Sequence, residues 1–260
     1  LDVLVRRSIR ERFGGRLRAM VSGGAPLNPE VGLFFVALGV PVYQGFGQTE
    51  SSGGVTLLTR ADHRRALSGE EHLLRSAGRA AFGTEVRVVD ENGDDCVVGE
   101  VGEIVARGPQ VMTGYWNLPD ATAAALRGGW LHLGDAGALD EEGYLYVKDR
   151  IKDMIVSGGE NVYPAEVEQV LFNHPAVADV AVIGVPDDRW GEAVKACVVR
   201  RPDQEVSADE LIAFCRTLIA GFKVPKSVDF VEALPRNASM KVLKTQLRAP
   251  YWEGHARSVS

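Results

Sequence analysis

Two glycine-rich breaks on either side of one capped, apolar helix constrain the start of this chain more than any other feature. Arg18 to Val21 reads as the end of a short strand that enters the turn Ser22-Gly23-Gly24. Asn28 is a helix-capping residue with Pro29 at the first helical position, followed by Val31, Phe34, Phe35 and Leu38. Pro41 to Tyr43 resumes an extended segment, which Gly45 to Gly47 break again. A strand, a helix and a second strand in that order predict a right-handed parallel crossover. Both glycine loops then sit at the carboxyl ends of their strands, where open α/β sheets bind ligands.

The texture changes twice further on. From Thr84, the short run Val86, Val88, Val89 precedes Glu91-Asn92-Gly93-Asp94, whose Asn-Gly is a hairpin signal. Strand-like pieces follow at Glu103–Ala106, Trp130–Leu133 and Tyr144–Val147, which predicts a small antiparallel sheet or barrel. Near Asp149 a third texture begins. Pro164 opens a helix with Val167, Val170 and Leu171 on one face, and Val180–Val185 and Ala193–Val199 are apolar strand candidates joined by Pro186-Asp187-Asp188. Ser207 with Glu210 forms a capping box before Leu211, Ile212, Cys215, Leu218 and Ile219, and Val228–Val231 is a last strand. The expected class is therefore mixed α/β and α+β. A βαβ piece spans about 1–75, a β subdomain about 76–150, and a compact α+β domain 151–260.

Composition narrows the function classes. The chain has 260 residues, 45% hydrophobic and 25% charged, enough to fold around a packed core, which argues against disorder. A net charge of −6 disfavours a globally basic nucleic-acid binder. Cys96, Cys197 and Cys215 form no close pair, which speaks against a disulfide scaffold or zinc module and for a reducing, cytoplasmic setting. The longest apolar run, Val31 to Val42, is too short to cross a bilayer, and no secretory leader is read. A first residue of Leu1 in place of methionine leads to the expectation of a longer parent chain.

Three segments have the residue types for phosphate and ribose chemistry. In Gln44-Gly45-Phe46-Gly47-Gln48-Thr49-Glu50, Phe46 offers a flat face for a base, Thr49 a hydroxyl for a phosphate, and Glu50 an oxygen for Mg²⁺. Asp135 and Arg150 follow strand candidates, and a carboxylate with a guanidinium can hold a ribose diol. Lys241 offers a flexible ammonium to offset charge on a reacting carboxylate or phosphate. Taken one at a time, each also fits a plainer reading as a glycine turn, loop charge or exposed lysine.

Read together, these segments resemble the acyl-adenylate-forming enzymes, and within them the fatty-acyl-CoA ligases. The resemblance rests on Gly45-Phe46-Gly47-Gln48-Thr49-Glu50, on Gly102-Glu103, Gly108, Met112, Gly114 and Tyr115, and on Gly129-Trp130 with Gly134-Asp135. It continues through Asp149 to Asp153, Gly158 to Val162 and Glu166-Val167-Glu168, then Gly184 to Asp187 with Gly191-Glu192, and Pro235 to Lys244. These motifs stand in the family's order over essentially the whole chain. The resemblance implies a two-step ligase using ATP, Mg²⁺ and coenzyme A on a carboxylic acid, with a fatty acid the leading substrate and an aryl or short-chain acid the alternative. A non-catalytic module that binds nucleotide or coenzyme A is the other reading.

By residue, the resemblance places Gly23, Gly24, Ala25, Gln44, Gly45, Phe46 and Gly47 around the nucleotide, with Thr49 at the α-phosphate and Glu50 on Mg²⁺. Asp135 and Arg150 take the ribose hydroxyls, and Lys241 bridges the acyl carboxylate and the α-phosphate in the first step. Lys152 marks a hinge for a mobile C-terminal domain, and Gly158 and Gly159 line a tunnel for the pantetheine arm. A fatty-acid substrate implies peripheral membrane contact, although no basic amphipathic helix is read from the sequence.

Three departures from the family pattern stand out. The family's Ser/Thr/Gly-rich phosphate loop is absent, so residues 1–150 read as the end of a large AMP-binding domain whose N-terminal half would be a required partner. The isolated chain is expected to be inactive for that reason. Met240 occupies the usual glycine position before Lys241, where a side chain disfavours a tight turn. Leu133 stands where threonine is common beside Gly134-Asp135.

Overall fold

The computed structural model describes residues 2–25, 27–238 and 240–255, so Leu1, Pro26, Ser239 and residues 256–260 lie outside the described residues. Among the described residues no helix is long and apolar enough to cross a membrane. The chain divides into two compact units, residues 1–147 and 148–260.

The first unit opens with α1 (Asp2–Arg12), β1 (Met20–Gly23), α2 (Pro29–Ala37) and β2 (Val42–Phe46). The helix α1 was not anticipated; it carries Arg7, Arg10 and Arg12, with Arg7 bonded to Glu11 at 2.9 Å. The Asn28 cap forms as expected, its Oδ1 accepting from the backbone N–H of Glu30 at 2.8 Å. Strands β1 and β2 pair in parallel, as a crossover requires. Both strands run further than their sequences suggest. Gly23 and Gly45, read as loop residues, are register partners inside the ladder, and a Cβ on Gly23 would stand 3.3 Å from the Gly45 carbonyl. The sheet is completed by β3 (Thr56–Leu58) and, after α3 (Arg60–Leu67), by β4 (Arg79–Ala80), each antiparallel to its neighbour.

A second sheet follows, with β5 (Glu85–Val89), β6 (Gly102–Arg107), then α4 (Pro119–Ala125), β7 (Leu131–Leu139) and β8 (Leu145–Arg150). Its order is β5-β6-β7-β8, an open sheet and not a closed barrel. The Asn92-Gly93 turn forms, but its return strand contributes only the bridge Val89–Asp95, and the true partner of β5 is β6. Val88, Ile104, Ala106, Leu133 and Leu145 meet Val55 in the core beneath.

In the second unit, β9 (Ile155–Ser157) and β10 (Glu160–Val162) form a hairpin that the sequence did not announce. Next come α5 (Pro164–Phe172), β11 (Val177–Asp187), β12 (Gly191–Arg200), α6 (Ala208–Arg216), β13 (Ser227–Phe230) and α7 (Lys244–Trp252). Strand β12 pairs antiparallel with β11 and parallel with β13. The apolar runs in β11 and β12 are continuous because both faces are covered. Val180, Val182, Val194 and Val198 join a core with Val167, Leu171, Leu211 and Cys215, while Ala181, Ile183 and Cys197 face Leu234, Leu247 and Tyr251. The Ser207–Glu210 capping box is present, with the Glu210 N–H donating to Ser207 Oγ at 3.2 Å.

One buried polar group ties α3 to the β7–β8 turn. Tyr144 is fully buried and donates its hydroxyl to Asp62 Oδ1 at 2.6 Å, while the Thr59 hydroxyl donates to Asp62 Oδ2 at 2.6 Å. Burial pushes the Asp62 carboxyl up, but bonds from Thr59 and Tyr144, with Arg79 nearby, outweigh it and hold the group below its ordinary value. Tyr144→Phe therefore removes a bond to a buried anion, a loss of about 2 kcal/mol at neutral pH. A carboxylate with a lowered folded pKa stabilises above its unfolded pKa and loses that contribution as pH falls through the folded value. Urea melts should show the gap between wild type and Tyr144→Phe narrowing below about pH 4; a gap that stays constant into acid would contradict this account.

Candidate functional site

In the first unit, the candidate residues of the β1 and β2 segments stand at the carboxyl ends of those strands and in the loops that follow. After β2, the chain turns at Gly47 so tightly that a Cβ there would lie 2.8 Å from the Gly53 backbone. Gln48 closes the loop: its carbonyl accepts from Ser51 N at 3.0 Å and Gly53 N at 2.9 Å. Thr49 stands exposed at the start of a single helical turn, Thr49–Ser51, and its hydroxyl has no partner among the described residues. Glu50 is half-buried, and its Oε1 accepts from the Tyr115 hydroxyl at 2.8 Å. That hydrogen bond, with some desolvation, raises the Tyr115 phenol above its ordinary pKa. The Glu50 carbonyl also accepts from Met112 N at 2.8 Å. Segment 110–115 is thus a strap over the glycine loop, reinforced by the Ser52 hydroxyl donating to the Gln110 carbonyl at 2.8 Å.

Gly134 and Asp135 do not follow a strand, as the sequence suggested; they lie within β7. Glu103 is register partner to Ala136 and Val105 to His132, so Leu133, Gly134 and Asp135 stand opposite Ile104 alone. This is a bulge, and Gly134 takes the left-handed conformation it needs, φ +67°. Asp135 lies in this bulge and is 6% exposed. Leu133, in the family's threonine position, packs into the core beneath. Gln44 is also placed differently from the expectation. Its side chain is buried, with Nε2 donating to His63 Nε2 at 3.3 Å while His63 Nδ1 donates to the Thr59 carbonyl at 2.8 Å. Gln44 therefore serves the inner packing through its side chain. Gly24, φ +81°, and Ala25 follow β1, and Phe46 ends β2 against the core of the second sheet.

The second unit holds the rest. Arg150 ends β8, and the neighbouring Asp149 is committed to structure: its carboxylate accepts from Arg150 N and from Ala165 N, each at 2.7 Å, the latter in the first turn of α5. Lys152 has an exposed side chain in the turn Ile151–Asp153, and its carbonyl accepts from Arg248 Nη1 at 3.2 Å. Gly158 and Gly159 form the β9–β10 turn. Gly158 has a packing reason of its own, since its Cβ would meet the Trp190 ring at 2.6 Å. Cys197 and Cys215 are buried, and desolvation pushes both thiols up to about 11, which leaves them protonated at neutral pH.

Lys241 lies on a hairpin closed by the bridge Arg236–Val242. Asn237 N donates to the Lys241 carbonyl at 2.9 Å, and Lys241 N donates to Asn237 Oδ1 at 2.9 Å. The Lys241 side chain is exposed, and its Nζ has no hydrogen bond or ion pair among the described residues. Lys244, three residues on, is instead paired with Glu168 at 2.7 Å.

Comparison with known proteins follows this division. The family of AMP-binding enzymes matches residues 2–116, and the AMP-binding enzyme C-terminal domain matches residues 166–241. The chain belongs to the AMP-binding enzymes. It is 47% identical over 232 residues to a feruloyl-CoA synthase of Amycolatopsis, covering 89% of this chain and 46% of that protein. It is 46% identical over 236 residues to a long-chain-fatty-acid–CoA ligase of Mycobacterium tuberculosis, covering 90% and 45%. Among solved structures, the O-succinylbenzoate coenzyme A synthetase of Bacillus subtilis in complex with ATP and magnesium ion matches with a TM-score of 0.79. The two are 40% identical, over 88% of this chain and 46% of that one. The chain spans about half the length of the curated relatives it matches.

Within this family's pattern, the departure at Met240 has a measurable conformation. Met240 has φ +63°, the left-handed region that costs an L-residue about 1–2 kcal/mol and glycine almost nothing. Its side chain is 67% exposed, so nothing in the core compensates. Met240→Gly should stabilise the protein by about 1 kcal/mol net of glycine's entropy, seen as a higher Tm. An unchanged Tm would show that the turn carries no strain.

Proposed function

We propose that this chain is the C-terminal part of an ATP-dependent acid–CoA ligase. In the first step a substrate carboxylate oxygen attacks the α-phosphorus of ATP, the bond to the bridging oxygen breaks, and pyrophosphate leaves. In the second, the sulfur of coenzyme A attacks the acyl carbonyl carbon, AMP leaves, and the thiol proton goes to solvent or a base. Thr49 donates to the α-phosphate, Asp135 and Arg150 hold the ribose hydroxyls, and Gly23, Gly24, Ala25, Phe46 and Gly47 border the nucleotide. Lys241 brings its ammonium between the two anions as they meet, which lowers the cost of their approach. Lys152 serves as the hinge, and Gly158 and Gly159 keep space for the pantetheine arm. A cytoplasmic setting is part of this proposal, supported by three free cysteines.

The observation that carries this reading is the glycine loop at the end of β2, where Tyr115 holds one oxygen of Glu50 and no described residue bonds the other. Among the described residues no three His, Cys, Asp or Glu side chains gather as a metal site. A magnesium ion fits this donor set, because it is commonly held by one or two carboxylates together with substrate phosphates. When bound, it supplies positive charge that neutralises the triphosphate.

The acid is best assigned by comparison of turnover. The likeness to the mycobacterial long-chain ligase supports a fatty acid, and the likeness to the feruloyl-CoA synthase supports an aryl acid. Palmitate turned over faster than benzoate or ferulate would establish the first; the reverse order would establish the second. For the nucleotide site, AMP at about a hundred times its Kd should stabilise the full-length protein by about 2.7 kcal/mol. Glu50→Gln should leave that AMP shift intact and weaken the extra stabilisation by ATP with magnesium. Equal stabilisation of both proteins by ATP with magnesium would remove Glu50 from the metal.

A further inference from the structure

The strained turn before Lys241 has to be held by something, and one side chain is placed to do it. Arg236 forks: Nη1 donates to the Met240 carbonyl at 2.6 Å, and Nη2 donates to Asp179 Oδ2 at 2.5 Å. Asp179 sits on β11 at an irregularity in the β11–β12 ladder, between the pairs Val177–Arg200 and Asp179–Val199. Its other oxygen accepts from Val180 N at 3.0 Å, which orients the carboxylate. Arg236 and Asp179 are each about one-third exposed, with side-chain values of 32%. The guanidinium therefore connects the peptide that enters Lys241 to the central sheet of the second unit, and its planar fork suits two acceptors at once. Bonds within the turn run from Met240 N to the Asn237 carbonyl and reciprocally between Asn237 and Lys241. Those bonds shape the turn; the Arg236 fork ties it to Asp179 on β11, and Val242 beside it packs with the cluster of Ala181, Ile183 and Leu234.

We propose that Arg236, anchored by Asp179, is a positioning residue that sets the Lys241 ammonium for acyl-adenylate formation. This rests on the ligase reading of Lys241 given above. A strained left-handed residue persists only where its surroundings over-determine it, and the fork supplies that determination at Met240. The arrangement also explains how methionine is tolerated here, because the fork carries what a glycine would relieve.

The test uses the full-length protein and separates the half-reactions. One assay follows pyrophosphate release from ATP, magnesium and the acid; the other supplies pre-formed acyl-adenylate and coenzyme A and follows thioester formation. Arg236→Gln should slow pyrophosphate release by about tenfold to a hundredfold, the scale expected for a misplaced reacting group. Thioester formation should stay within about twofold of wild type. Amide hydrogen exchange at Asn237 and Lys241 should speed up in the same variant with little change in Tm. Arg236→Lys should restore part of the rate, and adding Asp179→Asn to Arg236→Gln should cost little more, because both act through one contact. Adding Met240→Gly to Arg236→Gln should recover pyrophosphate release by removing the strain that needs holding.

Both half-reactions falling in parallel would overturn the proposal and make the fork a general structural contact. Unchanged exchange at Asn237 and Lys241 would overturn it whatever the activity. Lys241→Ala serves as the control for the underlying reading. Loss of pyrophosphate release in Lys241→Ala with full release in Arg236→Gln refutes the fork alone. Full release in Lys241→Ala refutes the role of the lysine, and the fork falls with it.

Discussion

Regular sheets force this chain out of regular geometry at a few points, and the candidate chemistry stands at those points. The ladder between β6 and β7 sets one residue opposite three, so Gly134 turns left-handed and Asp135 is held buried within the bulge. The loop after β2 packs backbone on backbone at Gly47 and Gly53, which leaves no freedom in where Thr49 and Glu50 sit. The hairpin at 236–242 closes on a left-handed methionine. In each case the irregular residue costs free energy locally, and well-paired strands nearby hold it in place.

Carboxylates that look alike in sequence have different work in the fold. Asp62 is bonded to Thr59 and Tyr144 and holds two layers of the first unit together. Asp149 bonds the first turn of α5, and Glu168 accepts from Val182 N and pairs with Lys244, its carboxyl pushed up by burial. Glu50 differs from these because Tyr115 takes one oxygen and the other keeps its capacity for a cation. The lysines divide in the same way. Lys195, Lys223 and Lys244 are bonded to Asp229, Glu166 and Glu168, whereas the Lys241 ammonium is left to solvent. A binding or reacting group needs unspent hydrogen-bonding capacity, and that capacity is visible only once the partners are known.

Local signals were legible wherever the cause is local. The Asn28-Pro29 start, the Ser207–Glu210 box and the apolar runs of β11 and β12 depend on neighbours in sequence or on burial of both faces, and each forms as its residues suggest. The strand ends were misread where glycine was taken as a stop. Gly23, Gly45 and Gly134 lie inside strands, because a glycine permits close pairing or a bulge as readily as a turn. The β9–β10 hairpin and α7 passed unnoticed because β9 and β10 are three residues each and α7 contains Pro250. Tyr115 stood in a recognised motif, yet its contact with Glu50 spans 65 positions and has no sequence spacing to reveal it.

The sequence by itself determined the family, the mixed architecture and the identity of the residues with suitable chemistry, because these follow from residue type, order and short-range pattern. It also marked Met240 as the residue out of place beside Lys241. The tertiary structure alone decided which of those groups are spent on packing and which are held ready. Gln44 and Asp149 went to the fold, and Glu50 and Lys241 retained free capacity. That division depends on long-range partners such as Tyr115 and His63, brought into hydrogen-bond distance only when the strands have paired and their register is set.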